Sequence, residues 1–212
     1  MQQFGLGFGQ EIETLALGAH QSDEQSNDAV QFQPNFIEDD DAIAVFKALS
    51  QQIEWRQESL WIAGKERQVP RLVAWYGDTE AEYRYSGKLH TPIPWIRPLA
   101  MLKERIEAEV GSDFNSVLCN LYRDGKDSMG WHADDEKELG KDPVIASLSL
   151  GQERSFHLKH KTVPKLKHKM TLTSGSLLVM KGTTQQNWLH QVPKETHITQ
   201  PRINLTFRKI MT

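Results

Sequence analysis

His132 and Asp134 are two residues apart, and His190 follows much later in the chain. In an extended segment, residues i and i+2 face the same side, so one imidazole and one carboxylate there could grip a single ion. Two histidines and a carboxylate, with coordination positions left open, are the ligand set of non-haem Fe(II) oxygenases. A hydrolytic zinc site can use the same donors. The His-x-Asp pair alone is weak, because 8 His and 12 Asp in 212 residues give about 0.5 such pairs by chance.

A second feature strengthens it. Arg202 through Arg208 alternates strictly, which is the strand period. Ile203, Leu205 and Phe207 point one way; Arg202, Asn204, Thr206 and Arg208 point the other. The two arginines lie roughly 20 Å apart at about 3.3 Å per residue. Arginine grips carboxylates and phosphates with two parallel bonds. In 115–123, Leu118, Asn120 and Tyr122 share one face, while Val117, Cys119 and Leu121 share the other. If these polar faces line a barrel interior, Asn120, Tyr122, Arg202 and Arg208 suit a dicarboxylate co-substrate such as 2-oxoglutarate. The competing placement for Arg202 and Arg208 is a solvated edge strand.

The elements that must position these residues can be read coarsely. The segment 31–36 is a candidate first strand. Asp39–Asp41 cap a helix running to about Gln52, with Ala42, Val45, Phe46 and Leu49 at helical spacing. Residues 60–65 and 69–76 look like a hairpin before a Gly77-Asp78 turn. Pro92, Pro94 and Pro98 lead into a second helix over about 97–110, stopped by Gly111. Strands are expected at 115–123, 145–150, 155–161, 169–173, 177–181 and 202–209. Helices followed by many strands argue for an α+β fold with an antiparallel sandwich or barrel.

Length and composition suit one globular domain with a sizeable core. No apolar run approaches the ~20 residues of a membrane span, and no secretory signal is apparent. The single cysteine, Cys119, excludes an internal disulfide and fits a reducing compartment. A cytoplasmic location is expected, or a nuclear one if the source is eukaryotic. Charge is uneven. Residues 1–46 hold nine acids and no Lys or Arg, so 47–212 carry all 25 basic residues and the other 19 acids, a net of +6. Such a body is compatible with nucleic acid without requiring it. Arg154–Lys169 holds six basic residues and no acid. Residues 1–30, rich in Gly, Gln and Ser, are expected to form a flexible acidic leader, with 31–212 as the single folded domain.

Several motifs together resemble the AlkB family of Fe(II)- and 2-oxoglutarate-dependent dioxygenases. They are Val69-Pro70-Arg71, Trp75-Tyr76-Gly77-Asp78, Tyr83-Arg84-Tyr85-Ser86-Gly87, Asn120-Leu121-Tyr122, His132-Ala133-Asp134-Asp135-Glu136, Ser174-Gly175-Ser176-Leu177, His190 and Pro201 through Arg208. The tyrosine-rich segment and the Asp-Asp-Glu run are similar to the branch that repairs alkylated DNA.

The resemblance implies a double-stranded β-helix (jelly-roll) core over about 113–210, with N-terminal helices and a nucleotide-recognition lid over about 55–92. It implies His132, Asp134 and His190 as catalytic iron ligands. Asn120, Tyr122, Arg202, Asn204, Thr206 and Arg208 would hold 2-oxoglutarate. Tyr83, Tyr85, Ser86 and Glu136 would meet the substrate base, with Tyr85 and His132 flanking it once it is flipped out. The implied reaction consumes O₂ and 2-oxoglutarate, forms succinate and CO₂, hydroxylates an N-methyl group and releases formaldehyde. The implied substrate is DNA carrying 1-methyladenine or 3-methylcytosine, single-stranded by preference, and the chain is expected to act as a monomer. Ala63 stands where relatives that work on duplex DNA carry a bulky apolar wedge, which motivates that preference. Alternatives are the same chemistry on RNA or protein, and a non-catalytic metal- or nucleic-acid-binding module.

Overall fold

The structure is a computed structural model that describes residues 12–15, 17, 28–62, 64–85 and 88–211. The N-terminal part comprises β1 (Glu13–Leu15), β2 (Ala29–Gln33), α1 (Asp39–Gln52), β3 (Ser59–Ile62), β4 (Lys65–Gln68), β5 (Leu72–Gly77), β6 (Tyr83–Tyr85), β7 (Lys88–His90), β8 (Ile93–Pro94) and α2 (Arg97–Val110). The remainder comprises β9 (Ser116–Tyr122), β10 (Met129–His132), β11 (Ile145–Gly151), β12 (Arg154–His160), β13 (Lys167–Leu172), β14 (Leu177–Lys181), α3 (Thr184–Asn187), β15 (Trp188–Val192) and β16 (Arg202–Arg208).

Two sheets carry the architecture. The major sheet runs β1-β2-β14-β11-β16-β9-β5-β8, and the minor one runs β10-β15-β12-β13. The β3–β4 and β6–β7 hairpins stand apart from both. This is the sheet-rich jelly-roll core expected from the sequence. Two hydrophobic clusters show how it is layered. One joins α1 and α2 to the major sheet through Leu49, Leu99, Ile106, Leu148, Ile203, Leu205 and Phe207. The other, with Ile145, Phe156, Leu158, Leu178, Met180 and Trp188, fills the space between the sheets.

The alternation of β16 therefore works in an unusual sense. Its apolar face lies under the helix layer, where Ile203, Leu205 and Phe207 are fully buried, each worth about 1.5–3 kcal/mol. Its polar face looks into the gap between the sheets. The strand is not a solvated edge, because it pairs with β11 on one side and β9 on the other.

Both long helices lie where the sequence placed them, but the N-cap of α1 is Glu38, with no side-chain cap bond, rather than one of the aspartates. Asp39, Asp40 and Asp41 occupy the first turn of α1, where the exposed N–H groups favour negative charge. Gly111 ends α2 at φ 68°, a left-handed conformation suited to glycine. Gly175 turns β13 into β14 at φ 77°, and a Cβ there would lie 2.1 Å from the Ile37 carbonyl oxygen.

Other expectations shift. The return strand of the first hairpin is Lys65–Gln68, whose four exposed polar residues carry no apolar alternation. The first strand begins at Ala29 rather than 31. Within the leader, Glu13–Leu15 pairs with Val30–Phe32, and Leu17 is buried beneath the minor sheet's core residues. Asp28 accepts from Thr183 Oγ1 at 2.6 Å, Asn187 Nδ2 at 3.1 Å and Trp188 Nε1 at 2.9 Å. Among the described residues no helix is long and apolar enough to cross a membrane.

Candidate active site

The polar face of β16 continues onto both neighbouring strands. Arg202 sits across from Tyr122 and Asn204 across from Asn120 on β9, while Ser149 and Ser147 lie opposite Asn204 and Thr206 on β11. Arg202 is 1% exposed. Its Nη2 donates to Ser149 Oγ at 2.8 Å, and its guanidinium carbon lies 5.2 Å from the Tyr122 ring centroid. Its Nε and Nη1 are buried with no hydrogen-bond partner. Burial pulls its pKa down to about 10 against the opposing pull of Tyr122, and Arg154 adds to the lowering. Leaving donors unmade in the interior costs about 1–3 kcal/mol per group, more when charged. A carboxylate would satisfy both.

The other groups on this face differ in how much of their bonding is spent. Asn204 Nδ2 donates to Ser147 Oγ at 2.7 Å and to the Leu148 carbonyl at 3.3 Å, and its Oδ1 accepts from Thr206 Oγ1 at 3.0 Å. Asn120 Oδ1 accepts from Arg71 Nε at 2.7 Å, which fixes the orientation of the amide and turns Nδ2 elsewhere. Arg208 donates through Nη2 to Asp134 Oδ1, and its buried Nε has no partner.

The possible metal donors gather at the Arg208 end. His132 ends β10 and His190 is central in β15, and the two are cross-strand partners. Their ring centroids are 4.1 Å apart. His190 Nε2 lies 4.0 Å from Asp134 Oδ2, and Phe156 packs on its ring at 5.4 Å. His132 Nδ1 is 2.9 Å from the Gly130 carbonyl. A carbonyl only accepts, so Nδ1 is the donor there, which leaves Nε2 as the nitrogen that could meet a metal. Burial drives the His190 pKa down to about 3, helped by His132 and Arg208 and opposed by Asp134. Burial works against the Asp134 charge, but Arg208, His190 and His132 outweigh it and hold that carboxyl below its usual range. Gln185, itself buried, accepts the Asp134 backbone N–H at 2.9 Å. Among the described residues no three such donors are closed to metal-binding distance; one Asp134 oxygen meets Arg208 and the other faces His190. The donor chemistry still fits iron: two imidazoles and one ionised carboxylate.

The substrate-side residues are less gathered. Glu136 is exposed. The protein crowding its carboxyl raises its pKa, with Asp134 and Asp135 adding to the rise and Arg208 opposing it. Tyr83 and Tyr85 lie on β6. Ser86 and Ala63 fall outside the described residues.

The model of the 2OG-Fe(II) oxygenase superfamily matches residues 29–208. Human alpha-ketoglutarate-dependent dioxygenase alkB homolog 3 is 44% identical over 186 residues, which cover 84% of this chain and 64% of that protein. Mouse DNA oxidative demethylase ALKBH2 is 39% identical over 181 residues, covering 81% of this chain and 76% of that one. The chain belongs to the AlkB family of 2OG-Fe(II) oxygenases. A solved structure titled "The structure of OsALKBH1" matches the fold with a TM-score of 0.59 at 18% identity, covering 85% of this chain and 96% of that one. The chain spans just under two thirds of the length of the alkB homolog 3 proteins it matches.

Against that AlkB-family frame, the sequence reading missed several supporting residues. Ser147 and Ser149 carry an alternation on β11 like that of β16, so a signal was present. Arg71 stood in the Val69-Pro70-Arg71 motif without a role, and Arg154 and Gln185 gave no signal, because their partners come from distant segments. The strands holding His132 and His190 were also missed. Their short, mixed sequences, Met129–His132 and Trp188–Val192, lack an apolar period.

Proposed function

We propose that this AlkB-family chain is an oxidative demethylase of N-alkylated nucleobases in DNA, such as 1-methyladenine and 3-methylcytosine. The reaction couples hydroxylation of the N-methyl group to decarboxylation of 2-oxoglutarate to succinate and CO₂, and formaldehyde leaves as the base is restored. The observation that carries this reading is the buried Arg202 guanidinium, with two unspent donors on a strand whose other end meets Asp134.

In this reading His132, Asp134 and His190 hold Fe(II), which supplies O₂ activation when bound. Arg202 takes the distal carboxylate of 2-oxoglutarate in paired bonds. Tyr122 and the Asn120 amide Nδ2 line the co-substrate's length. Asn204 and Thr206 brace the wall through their bonds to each other and to β11. Arg208 holds the Asp134 carboxylate ionised. Asp134, His190 and Arg202 are buried between the sheets, which strengthens the contacts they make. On the substrate side, Tyr83, Tyr85 and Ser86 form the lid against the flipped base, which needs an aromatic face. Glu136 favours a base made cationic by methylation.

Single-stranded DNA is the preferred polymer, because a residue as small as Ala63 cannot fill the gap left by a base extruded from a duplex. RNA is the alternative polymer. The chain acts as a monomer, in the nucleus or cytoplasm. The test is incubation with Fe(II), 2-oxoglutarate and oligonucleotides carrying 1-methyladenine, 3-methylcytosine or no lesion, read by mass spectrometry. Loss of the methyl group with matching succinate is expected on the two lesions only. Succinate formation without base repair would contradict the substrate.

A further inference from the structure

The run of six cations in Arg154–Lys169 is absorbed only at its first residue by the site just described. The register of the minor sheet shows where most of the others go. His157 pairs with Lys169 and Lys159 with Lys167, while on the other side of β12 Leu158 pairs with His190. Buried Leu158 and His190 point between the sheets. Lys159, Lys167 and Lys169 therefore share the opposite, outward face, together with His157 and Thr171. No carboxylate occupies an outward position on β12 or β13. Lys161 is set apart, since it pairs with Asp135 at 2.9 Å.

Trp131 joins this face to the site. It is 39% exposed, and the Lys159 ammonium lies 4.3 Å from its ring centroid. Its ring is tilted against His157 at 6.5 Å. Trp131 directly precedes His132 on β10, the edge strand of the minor sheet. A polymer leaving the His132 side crosses that edge and meets an indole face followed by three cations that have no ion-pair partner among the described residues.

We propose that the outward face of β10, β12 and β13 is a track for the phosphate backbone of the substrate's own single strand, with Trp131 as a base-stacking step and Lys159, Lys167 and Lys169 as phosphate contacts. This rests on the reading of the substrate as nucleic acid. Positive charge along a groove or face, interleaved with an aromatic ring, is the pairing that holds single strands regardless of sequence.

The test uses the full chain and lesion-free fluorescent single-stranded DNA of 5 and 15 nucleotides, with affinity measured across a salt series. Each phosphate contact on a single strand adds about 0.7 to the slope of log K against log salt. Lys159→Gln/Lys167→Gln/Lys169→Gln is expected to lower the 15-mer slope by about 2 and to weaken binding tenfold or more at low salt. Binding of the 5-mer, and turnover of a methylated 5-mer, should stay as in the parent. Lys47→Gln/Lys103→Gln, which removes charge from α1 and α2, should leave the slope unchanged. An unaltered 15-mer slope in the triple variant, or an equal loss in the helix variant, would overturn the track while leaving the demethylase reading intact if the methylated 5-mer is repaired. A parent chain that binds neither oligonucleotide would overturn both.

Discussion

Arg154 and Arg202 flank the same ring. Each is 1% exposed, and their guanidinium carbons lie 5.6 and 5.2 Å from the Tyr122 centroid. Their bonding differs. Arg154 donates to Glu195 Oε2 at 3.1 Å and to the carbonyls of Asp124, Asp127 and Pro193 at 3.2, 2.9 and 2.7 Å. It staples the β9–β10 connection to the segment after β15, and every nitrogen has an acceptor. Arg202 makes one firm bond, to Ser149, and two of its nitrogens have none. Burial alone thus does not tell a structural arginine from one proposed to bind a ligand. The count of unspent donors does, because the fold tolerates an unpaired buried cation only where something else completes it.

The comparison can be broken at several points. The largest effect is expected at the far end of the Arg202 strand: Asp134→Ala should abolish succinate formation, by a thousandfold or more, since it removes one of the three proposed metal donors. Turnover within tenfold of the parent, in folded protein, would take Asp134 out of the site. Arg154→Ala should then cost about 3–5 kcal/mol of stability, as expected when one partner of a buried ion pair is removed, read by urea denaturation. A loss below ~1 kcal/mol would erase the contrast between the two arginines.

Ser149→Ala is a smaller change. It removes the one firm bond Arg202 makes, so it should cost about 1 kcal/mol and raise the apparent KM for 2-oxoglutarate several-fold with kcat little changed. A shift in kcat alone would place Ser149 elsewhere in the reaction.

The smallest effect concerns acid. Burial tends to raise the Glu195 pKa, but bonds from Ser155 and Arg154 outweigh it and lower it from the ordinary 4.5. A carboxyl depressed in the folded state stabilises the fold above its unfolded pKa, and that contribution is lost as pH falls through the folded value. Stability should decline below about pH 4.5 in the parent and decline less in Glu195→Gln. Parallel pH profiles for the two proteins would show that the Arg154 staple does not depend on this charge.

Much of this could be read from the residues alone. The helices at Asp39–Gln52 and Arg97–Val110 matched because acids or proline marked their starts, glycine marked the end of the second, and apolar spacing filled the turns. The strict alternation of Arg202–Arg208 placed the polar face before its surroundings were known. Nothing local said that this face is interior; that depends on β10 and β15 closing over it, and neither strand has a period to read. Of the two arginines, the alternation marked Arg202 and nothing marked Arg154. Arg154 lay in a run of six basic residues with no acid, and its acceptors come from residues 27 to 41 positions away.

The central claim is that Arg202 is held in reserve for a carboxylate. It is tested by titrating 2-oxoglutarate into Mn(II)-loaded protein under argon, by calorimetry, in the parent, Arg202→Met and Arg202→Lys, with urea denaturation of each protein alongside. Replacing an under-bonded buried charge with an apolar chain of similar length is often neutral or stabilising. The expected result is therefore Arg202→Met at least as stable as the parent, within about 1 kcal/mol, yet binding 2-oxoglutarate more than tenfold more weakly. Arg202→Lys should fall between them, because an ammonium cannot make paired bonds. Unchanged 2-oxoglutarate affinity in a folded Arg202→Met protein would contradict the account.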